Sequence, residues 1–297
     1  MIIRQVRKLQ TSKKNSGIGA IKSNRIVLYA VVIPLAVFMI LPLIYILNHA
    51  FKPTDELFAF PPRFLVQNPT FDNFKRLAQA TVASDIPIGR YAFNSILVTA
   101  AVVLSTIVIA SMSGFALSKM KFKGKEFLLN INNIALMFVP VAVIIPRFLV
   151  IQFSGIYNTV FAHILPLLAM PVGLFLIKQF IDQIPDALIE AATIDGASSF
   201  RVYTSVVIPL IKPALATVSI LAFQQVWNNM ESSNLFIDSE NLRTLAFFMG
   251  TLTGNANIVA GQGIAAASAF IMFVPNIVLF VCMQSRVMNT MTQSGIK

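Results

Sequence analysis

Long stretches without charged residues constrain the fold of this chain more than any other feature. A helix needs about 20 mostly apolar residues to cross a bilayer. Six windows have this character, and only the fifth contains a charge: Ile26–Leu47, Tyr91–Ser118, Phe127–Pro146, Thr159–Ile177, Val206–Gln225 and Ile264–Met283. Charged residues make up 12% of the chain, about half the usual share of about 25% in a soluble domain. The sequence therefore predicts an all-α, polytopic membrane protein with six transmembrane helices.

The charged residues also predict how the helices are oriented. The net charge is +11, and cytoplasmic segments of membrane proteins carry an excess of Lys and Arg. With both termini inside, most of the 23 basic residues are cytoplasmic. The exceptions are Lys52, Arg63, Lys75, Arg76, Arg90, Arg147 and Arg243. We therefore expect an N-in, C-in topology, and the basicity is explained by topology rather than by nucleic-acid binding.

Two regions of the chain are expected. Residues 1–25 form a basic cytoplasmic segment, and residues 26–297 form the membrane domain. The first apolar stretch is longer than the apolar core of a cleavable signal peptide, so we expect it to be a retained anchor.

Several functional classes lack the residues that their chemistry needs. The single cysteine, Cys282, excludes an internal disulfide, and the histidines His49 and His163 are far apart in sequence. None of the 12 acidic residues lies in a predicted span, whereas ion-coupled carriers usually place a carboxylate at membrane depth. There is no phosphate-binding P-loop, because Gly124–Lys125 is followed by Glu126. We predict a non-catalytic chain without a metal or cofactor. The alternative is a homo-oligomeric secondary carrier or channel. A membrane-embedded enzyme is not favoured, because the predicted spans contain no paired carboxylates, Ser-His pair or metal-binding cluster.

The segment between the fourth and fifth spans is predicted to contain a short acidic helix over about 183–197. Pro185 suits a first turn and Gly196 suits a C-terminal stop. Its apolar positions at helical spacing are Ile184, Leu188, Ala191 and Ile194. Helices that lie on membranes are usually basic with bulky anchors, so this acidic helix favours docking to a protein partner.

The same segment resembles the EAA loop of ABC importer permeases. Its residues Glu190-Ala-Ala-Thr-Ile-Asp-Gly-Ala197, followed by Ile208-Pro209, are similar to the form found in MalG-type carbohydrate importers. Further similar stretches are Phe51-Lys-Pro-Thr-Asp-Glu-Leu-Phe58, Asn94-Ser-Ile-Leu97, Phe115-Ala-Leu-Ser-Lys119, Asn158-Thr159 and Trp227-Asn228. The resemblance runs from about residue 27 onward and implies the type I ABC importer permease fold.

The resemblance also implies partners and a mechanism. It implies a subunit of a bacterial inner-membrane importer for a carbohydrate of the oligosaccharide class. The loop at about 181–205 would couple to an ATPase subunit through Glu190, Ala191, Ala192, Asp195 and Gly196. ATP and Mg²⁺ would bind in a dimer of those ATP-binding subunits. The other implied partners are a second homologous permease subunit and an extracytoplasmic solute-binding protein.

Polar residues in the spans are candidates for lining the sugar pathway, although each could instead form an interhelical hydrogen bond. They are Asn130, Asn132, Asn133, His163, Gln224, Gln225, Trp227, Asn228 and Asn229. The segment from about 228 to 262 is rich in Ser, Gly and Asn, which predicts a flexible outer loop. By resemblance this loop contacts the binding protein through Thr251, Gly254, Asn255, Asn257 and Gln262.

Overall fold

The computed structural model describes residues 28–61, 63–80, 86–254 and 259–294, and these residues form helices and no strand. The predicted basic segment 1–25 lies outside the described residues. The helices are α1 (Leu28–Phe51), α2 (Thr54–Leu57), α3 (Asp72–Ala80), α4 (Ile88–Lys119), α5 (Lys125–Met137), α6 (Ile144–Phe153), α7 (Val160–Leu168), α8 (Pro171–Asp182), α9 (Asp186–Ile194), α10 (Ser199–Val202), α11 (Ile208–Leu210), α12 (Lys212–Trp227), α13 (Glu231–Phe236), α14 (Leu245–Gly254) and α15 (Val259–Ser294). Short 3₁₀ turns at Pro140–Val143 and Glu240–Leu242 and a π-turn at Tyr203–Val207 join some of them.

Three helices are long and apolar enough to cross a membrane alone: α1, α4 and residues Gly261–Gln284 of α15. The other three predicted spans are bent pairs of helices, so up to six spans result if each pair counts as one. The bends are 111° between α5 and the Pro140–Phe153 segment, 42° between α7 and α8, and 80° between Ser199–Leu210 and α12.

Prolines explain where the bends fall. The residue before a proline avoids the α-helical region. Val139 (ψ 129°) is extended before Pro140, and Met170 (ψ 84°) lies outside the helical region before Pro171. Pro213 lies in the first turn of α12, directly after the third bend. The broken spans therefore bend at these prolines, whereas Pro275 lies inside the continuous α15.

A core of apolar side chains holds the α9 end of the bundle together. It joins α4, α8, the π-turn and α12 through buried residues that include Phe115, Ile177, Tyr203 and Val218. A Cβ atom on Gly114 would lie 2.9 Å from Cγ2 of Ile177. The glycine therefore permits the close contact between α4 and α8.

A second core closes the opposite end of the bundle. Tyr91, Trp227 and Phe248 are buried there, with the Tyr91 and Phe248 rings stacked at 4.7 Å between centroids. The start of α4 is hydrogen-bonded to the segment before α14: Asn94 Nδ2 donates to the carbonyls of Asn241 (2.8 Å) and Arg243 (2.9 Å). Ser95 Oγ accepts from the backbone N–H of Leu245. These bonds give the Asn94–Ser95 pair a structural role.

The expectation of a flexible loop over 228–262 is wrong for most of that segment. Residues 231–236 and 245–254 are helical, and Ser232, Ser233 and the run from Leu245 to Met249 are buried. Small polar residues here form hydrogen bonds with one another in the interior, as the hydroxyl groups of Ser233 and Thr244 do at 3.0 Å. We call residues 229–254 the far-end segment.

Two helices remain largely uncovered by this chain. The apolar window of α1 is 0% buried, and α5 has no buried residue. In a membrane protein such faces contact lipid or another subunit.

Candidate functional site

The acidic helix α9 forms where the sequence predicts a helix, within slightly narrower bounds. It begins after Pro185 and ends at Ile194. Gly196 has φ +82° and donates its N–H to the carbonyl of Thr193, while Ala197 donates to Ala192, both at 3.0 Å. This is the Schellman arrangement, in which a glycine in the left-handed region ends a helix. The proposed stop at Gly196 is thus confirmed.

One face of α9 packs on its own chain and the other is open. Ile189 and Ala192 contact the α9-end core. On the opposite side Leu188 is 47% exposed, Ile194 is 86% exposed, and Ala191 is exposed as well. Leu188, Ala191 and Ile194 therefore leave apolar surface exposed on this side of α9.

The carboxylates of α9 lie on the open surface. Glu190 and Asp195 are exposed, as is Gly196, and neither carboxylate takes part in an ion pair among the described residues. Ala192, which the resemblance places against a partner together with Ala191, packs partly inward instead. The structure therefore brings Glu190, Ala191, Asp195 and Gly196 together on one accessible surface.

A lysine at the end of α4 fixes the start of α9. Lys119 Nζ donates to the carbonyl of Ile184 and to Oδ1 of Asp186, both at 2.6 Å. The Lys119 side chain is only 9% exposed. Sequence reasoning missed this contact, because no local spacing connects residues 67 positions apart. We call it the Lys119 latch.

The latch connects α9 to the part of the bundle where α4 and α8 pack together. Ser118 Oγ donates to the carbonyl of Lys178 in α8 (3.3 Å), and Ser111 Oγ lies 2.7 Å from the hydroxyl of Tyr203. Hydrogen bonds therefore join α9 to α4 and α4 to α8.

Two of the candidate pathway residues, His163 and Trp227, are buried and hydrogen-bonded within the chain. His163 is buried, with Nδ1 at 2.7 Å from Ser232 Oγ and Nε2 at 3.0 Å from the carbonyl of Leu242. Trp227 is buried, donates Nε1–H to the carbonyl of Met272 (3.1 Å) and stacks on Phe223. The expectation of an interhelical hydrogen bond at His163 is confirmed.

The remaining candidates divide into bonded and open side chains. Asn229 Oδ1 accepts from the N–H and the hydroxyl of Ser232, and Asn228 Nδ2 donates to the carbonyl of Gln224. Asn132 Nδ2 makes a long bond of 3.4 Å to the carbonyl of Pro171. Gln224 and Gln225 are exposed, as are Asn130 and Asn133, so these side chains can reach a solute or another subunit.

The candidate contacts to a binding protein are only partly described. Thr251 lies in α14 and donates to the carbonyl of Phe248 (2.7 Å), and Gln262 is exposed in α15. Gly254 ends α14. Asn255 and Asn257 lie outside the described residues.

A polar network, which sequence reasoning also missed, organises the chain after α1. Glu56 accepts from the backbone N–H groups of Gln67 (3.1 Å) and Asn68 (2.8 Å). These hydrogen bonds, that from Gln67 above all, lower the pKa of Glu56. Asn73 Nδ2 donates to the carbonyls of His49, Ala50 and Lys52. Across the described residues, no group of three or more His, Cys, Asp or Glu side chains could hold a metal ion.

The fold is that of a multi-pass membrane protein with an exposed acidic helix, α9, at one end of the bundle. Comparison with known proteins identifies the class more closely. A family profile described as binding-protein-dependent transport system inner membrane component matches residues 106–285. The chain belongs to this family.

Relatives along nearly the whole chain agree with this assignment. The chain is 31% identical over 262 residues to the probable ABC transporter permease protein YurM of Bacillus subtilis, covering 86% of this chain and 83% of YurM. It is 26% identical to the trehalose transport system permease protein SugB of Mycobacterium tuberculosis, with 88% and 93% covered. It is 28% identical to the arabinooligosaccharides transport system permease protein AraQ of Halalkalibacterium halodurans, with 89% and 93% covered.

A solved structure shares the fold. A chain of a bacterial ABC transporter involved in the import of the acidic polysaccharide alginate superposes with a TM-score of 0.76 at 21% identity, covering 89% of this chain and 97% of that chain. The protein is therefore a non-catalytic, multi-pass membrane subunit of an ABC importer. ATP hydrolysis belongs to a separate subunit, and a solute-binding protein is a partner.

Proposed function

We propose that this chain forms half of the translocation pathway of a carbohydrate importer and is driven by an ATPase subunit that docks on α9. The exposed face of α9 carries this proposal, because Lys119 and the α9-end core attach α9 to the bundle while Ile194 remains 86% exposed. Relatives named for trehalose, arabinooligosaccharides and galactooligosaccharides support a carbohydrate substrate of the oligosaccharide class.

The docking step follows from the surface of α9. Ile194 and Ala191 would enter an apolar groove of the ATP-binding subunit, and Glu190 and Asp195 would pair with polar or basic groups at its edge. ATP and Mg²⁺ would bind in that subunit, and closure of a dimer of such subunits would move α9. The Lys119 latch would carry the movement into α4 and α8, so the pathway would open alternately to the two sides.

The pathway itself would form against a second, homologous permease. The uncovered α1 and α5 support this pairing, since each has an apolar surface that the chain does not bury. We propose six spans with both termini inside, each bent pair counting as one span. Gln224 and Gln225 are the best-placed candidates for sugar contacts, because their amides are exposed near the far end of α12.

The far end of the bundle would receive the solute-binding protein. Thr251 and Gln262 lie at the two sides of residues 255–258 and would contact the docked protein. The packed far-end segment would hold the contacting residues in place.

Co-purification tests the docking proposal. Glu190→Lys and Ile194→Asp should each release the ATP-binding subunit from the detergent-solubilised complex while the second permease stays bound. Thr193→Lys places a lysine on the flank of α9, where the charge rises by one unit rather than the two of Glu190→Lys, and is the positional control. Retention of the ATP-binding subunit in both α9 variants would refute docking at α9, and a homo-oligomer without that subunit in the wild type would favour a carrier or channel.

A further inference from the structure

A lateral cavity of about 440 Å³ lies in the membrane part of the bundle, between α4, α5 and the bend that joins α7 and α8. Its size falls within the range of about 300–1,000 Å³ typical of ligand pockets. The walls are mostly apolar and include Ile109, Ala116, Leu128, Ile131, Ala135 and Leu174. Ile109, Leu128 and Ile131 are each more than 40% exposed, so the cavity opens sideways from the bundle.

The cavity exists because α5 stands away from its neighbours. Helix α5 has no buried residue, and it meets the bundle mainly through α8. Residues 168–171, at the bend between α7 and α8, line the cavity. The break in this span therefore forms one of its walls.

A cluster of lysines lies at the mouth of the cavity, on the side of the bundle that carries α9. The lysine loop (residues 120–125) contains Lys121, Lys123 and Lys125. None of the three forms an ion pair within the described part of the chain. Lys125 Nζ is held by the backbone carbonyls of Ser118 and Met120, which leaves its charge uncompensated apart from the neighbouring Glu126.

One side chain connects the two features. Phe122 lines the lateral cavity and also borders the hollow formed by Lys121, Lys125 and Glu126. An occupant whose apolar part fills the cavity would therefore have its polar end among the lysines. The required ligand is amphipathic and anionic.

We propose that the lateral cavity binds one acyl chain of an anionic phospholipid, with the headgroup phosphate at the lysine loop. Basic pockets between transmembrane helices on the cytoplasmic side are suited to anionic headgroups. The lysine loop lies on that side because the Lys119 latch joins the same end of α4 to the docking helix. The polar lining residues Thr106, Ser113 and Asn132 contribute no hydrogen bond to this binding, since an acyl chain has neither a donor nor an acceptor.

The site has a consequence for coupling. The cavity is walled by Ala116 and Leu117 of α4 and Leu174 of α8. Ser118 joins these two helices to each other, and Lys119 joins α4 to α9. A bound acyl chain would fill the gap beside them and stiffen that connection. Anionic lipid should therefore raise transport per ATP hydrolysed, as well as being retained on purification.

Native mass spectrometry of the purified transporter tests the proposal directly. The complex is exchanged into mixed micelles that contain phosphatidylglycerol and phosphatidylcholine at equal concentration, and bound lipids are counted. We expect preferential retention of phosphatidylglycerol. Each lysine near an anionic headgroup contributes about fivefold in affinity, so Lys121→Gln, Lys123→Gln and Lys125→Gln combined should weaken retention at least about tenfold. The control Lys75→Gln with Arg76→Gln removes two charges at the opposite end and should have no effect.

A second variant tests the contribution of the cavity independently of the lysine charges. Ala135→Phe places a ring in the cavity from α5, where no residue is buried and folding tolerates the change. It should reduce retention of both lipids although every lysine remains. Equal retention of the two lipids by the wild type, or unchanged retention in either variant, would overturn the proposal.

Photo-crosslinking identifies the occupant. A benzophenone amino acid at Ile131 should capture phospholipid in the assembled complex. Capture of the second permease instead would overturn the proposal and show that a subunit covers the cavity. Because these readouts count lipids, they remain interpretable even where transport of the proposed sugar fails.

Discussion

The polar segments at the two ends of the helix bundle differ in how far their own chain covers them. At one end α9 is attached through the Lys119 latch and a short inward face, and its outer face is left open. At the other end the far-end segment is folded inward, with Ser232, Ser233 and Phe236 buried. The difference shows that α9 leaves one face uncovered by its own chain, whereas most of the far-end segment is packed within it.

The largest predicted effect is at the packed end. Trp227→Ala should lower the free energy of unfolding by about 3–5 kcal/mol, because it removes a buried ring and leaves a cavity. Thermal unfolding in detergent measures the loss. The ring also stacks on Phe223 at 5.6 Å between centroids, so Trp227→Phe should recover much of the stability but not the hydrogen bond to Met272. Full stability of Trp227→Ala together with lost transport would instead assign Trp227 to the pathway and weaken the contrast between the ends.

The next effect is at the latch. Lys119→Met leaves the carbonyl of Ile184 and the carboxylate of Asp186 without their donor, which costs about 1–3 kcal/mol for buried acceptors. Asp186 is itself exposed, so we expect the lower part of this range. The larger consequence is uncoupling, since α9 would no longer move with α4. Transport per ATP hydrolysed in proteoliposomes should fall while the ATP-binding subunit still co-purifies.

A nearby ion pair provides the control for the latch. Lys178 and Asp182 are 2.7 Å apart within α8, and Lys178→Met should leave coupling close to that of the wild type. The exchanged pair Lys119→Asp with Asp186→Lys should recover part of the coupling. Equal transport per ATP in Lys119→Met and the wild type would show that the latch does not transmit force.

A smaller effect is expected at the end of α9. Gly196→Ala should cost about 1–2 kcal/mol, because an L-residue with a Cβ is disfavoured in the left-handed region. The added Cβ would meet no atom within 4 Å, so backbone strain alone accounts for the cost. Gly196→Asn should cost less, since Asn tolerates this conformation. Identical stability and coupling of Gly196→Ala, Gly196→Asn and the wild type would contradict a fixed left-handed turn.

Local signals explain why α9 could be predicted closely from the sequence. Pro185 and Gly196 mark its ends within a few residues, and both act through their own backbone conformation. The bends at Pro140 and Pro171 could be anticipated as kinks for the same reason, although their angles depend on packing. The far-end segment could not be predicted, because Ser and Gly are typical of loops and their burial here depends on distant partners such as His163 and Ser95. The Lys119 latch is likewise a long-range contact, and the sequence showed Lys119 only as a charge at the end of a span.

The smallest effect on stability is expected at Ile194, where the contrast between the two ends is sharpest. Ile194→Ser should change the free energy of unfolding by less than about 0.5 kcal/mol, because a side chain that is 86% exposed has little packing to lose. The same change should weaken co-purification of the ATP-binding subunit, since a central apolar anchor of an interface contributes far more there than in the free chain. Ile145→Ser is the control, because Ile145 is 73% exposed in α6, away from α9, and should leave the ATP-binding subunit attached. Loss of stability without loss of the subunit in Ile194→Ser would mean that Ile194 packs within this chain, and the open face of α9 would then not be a docking surface.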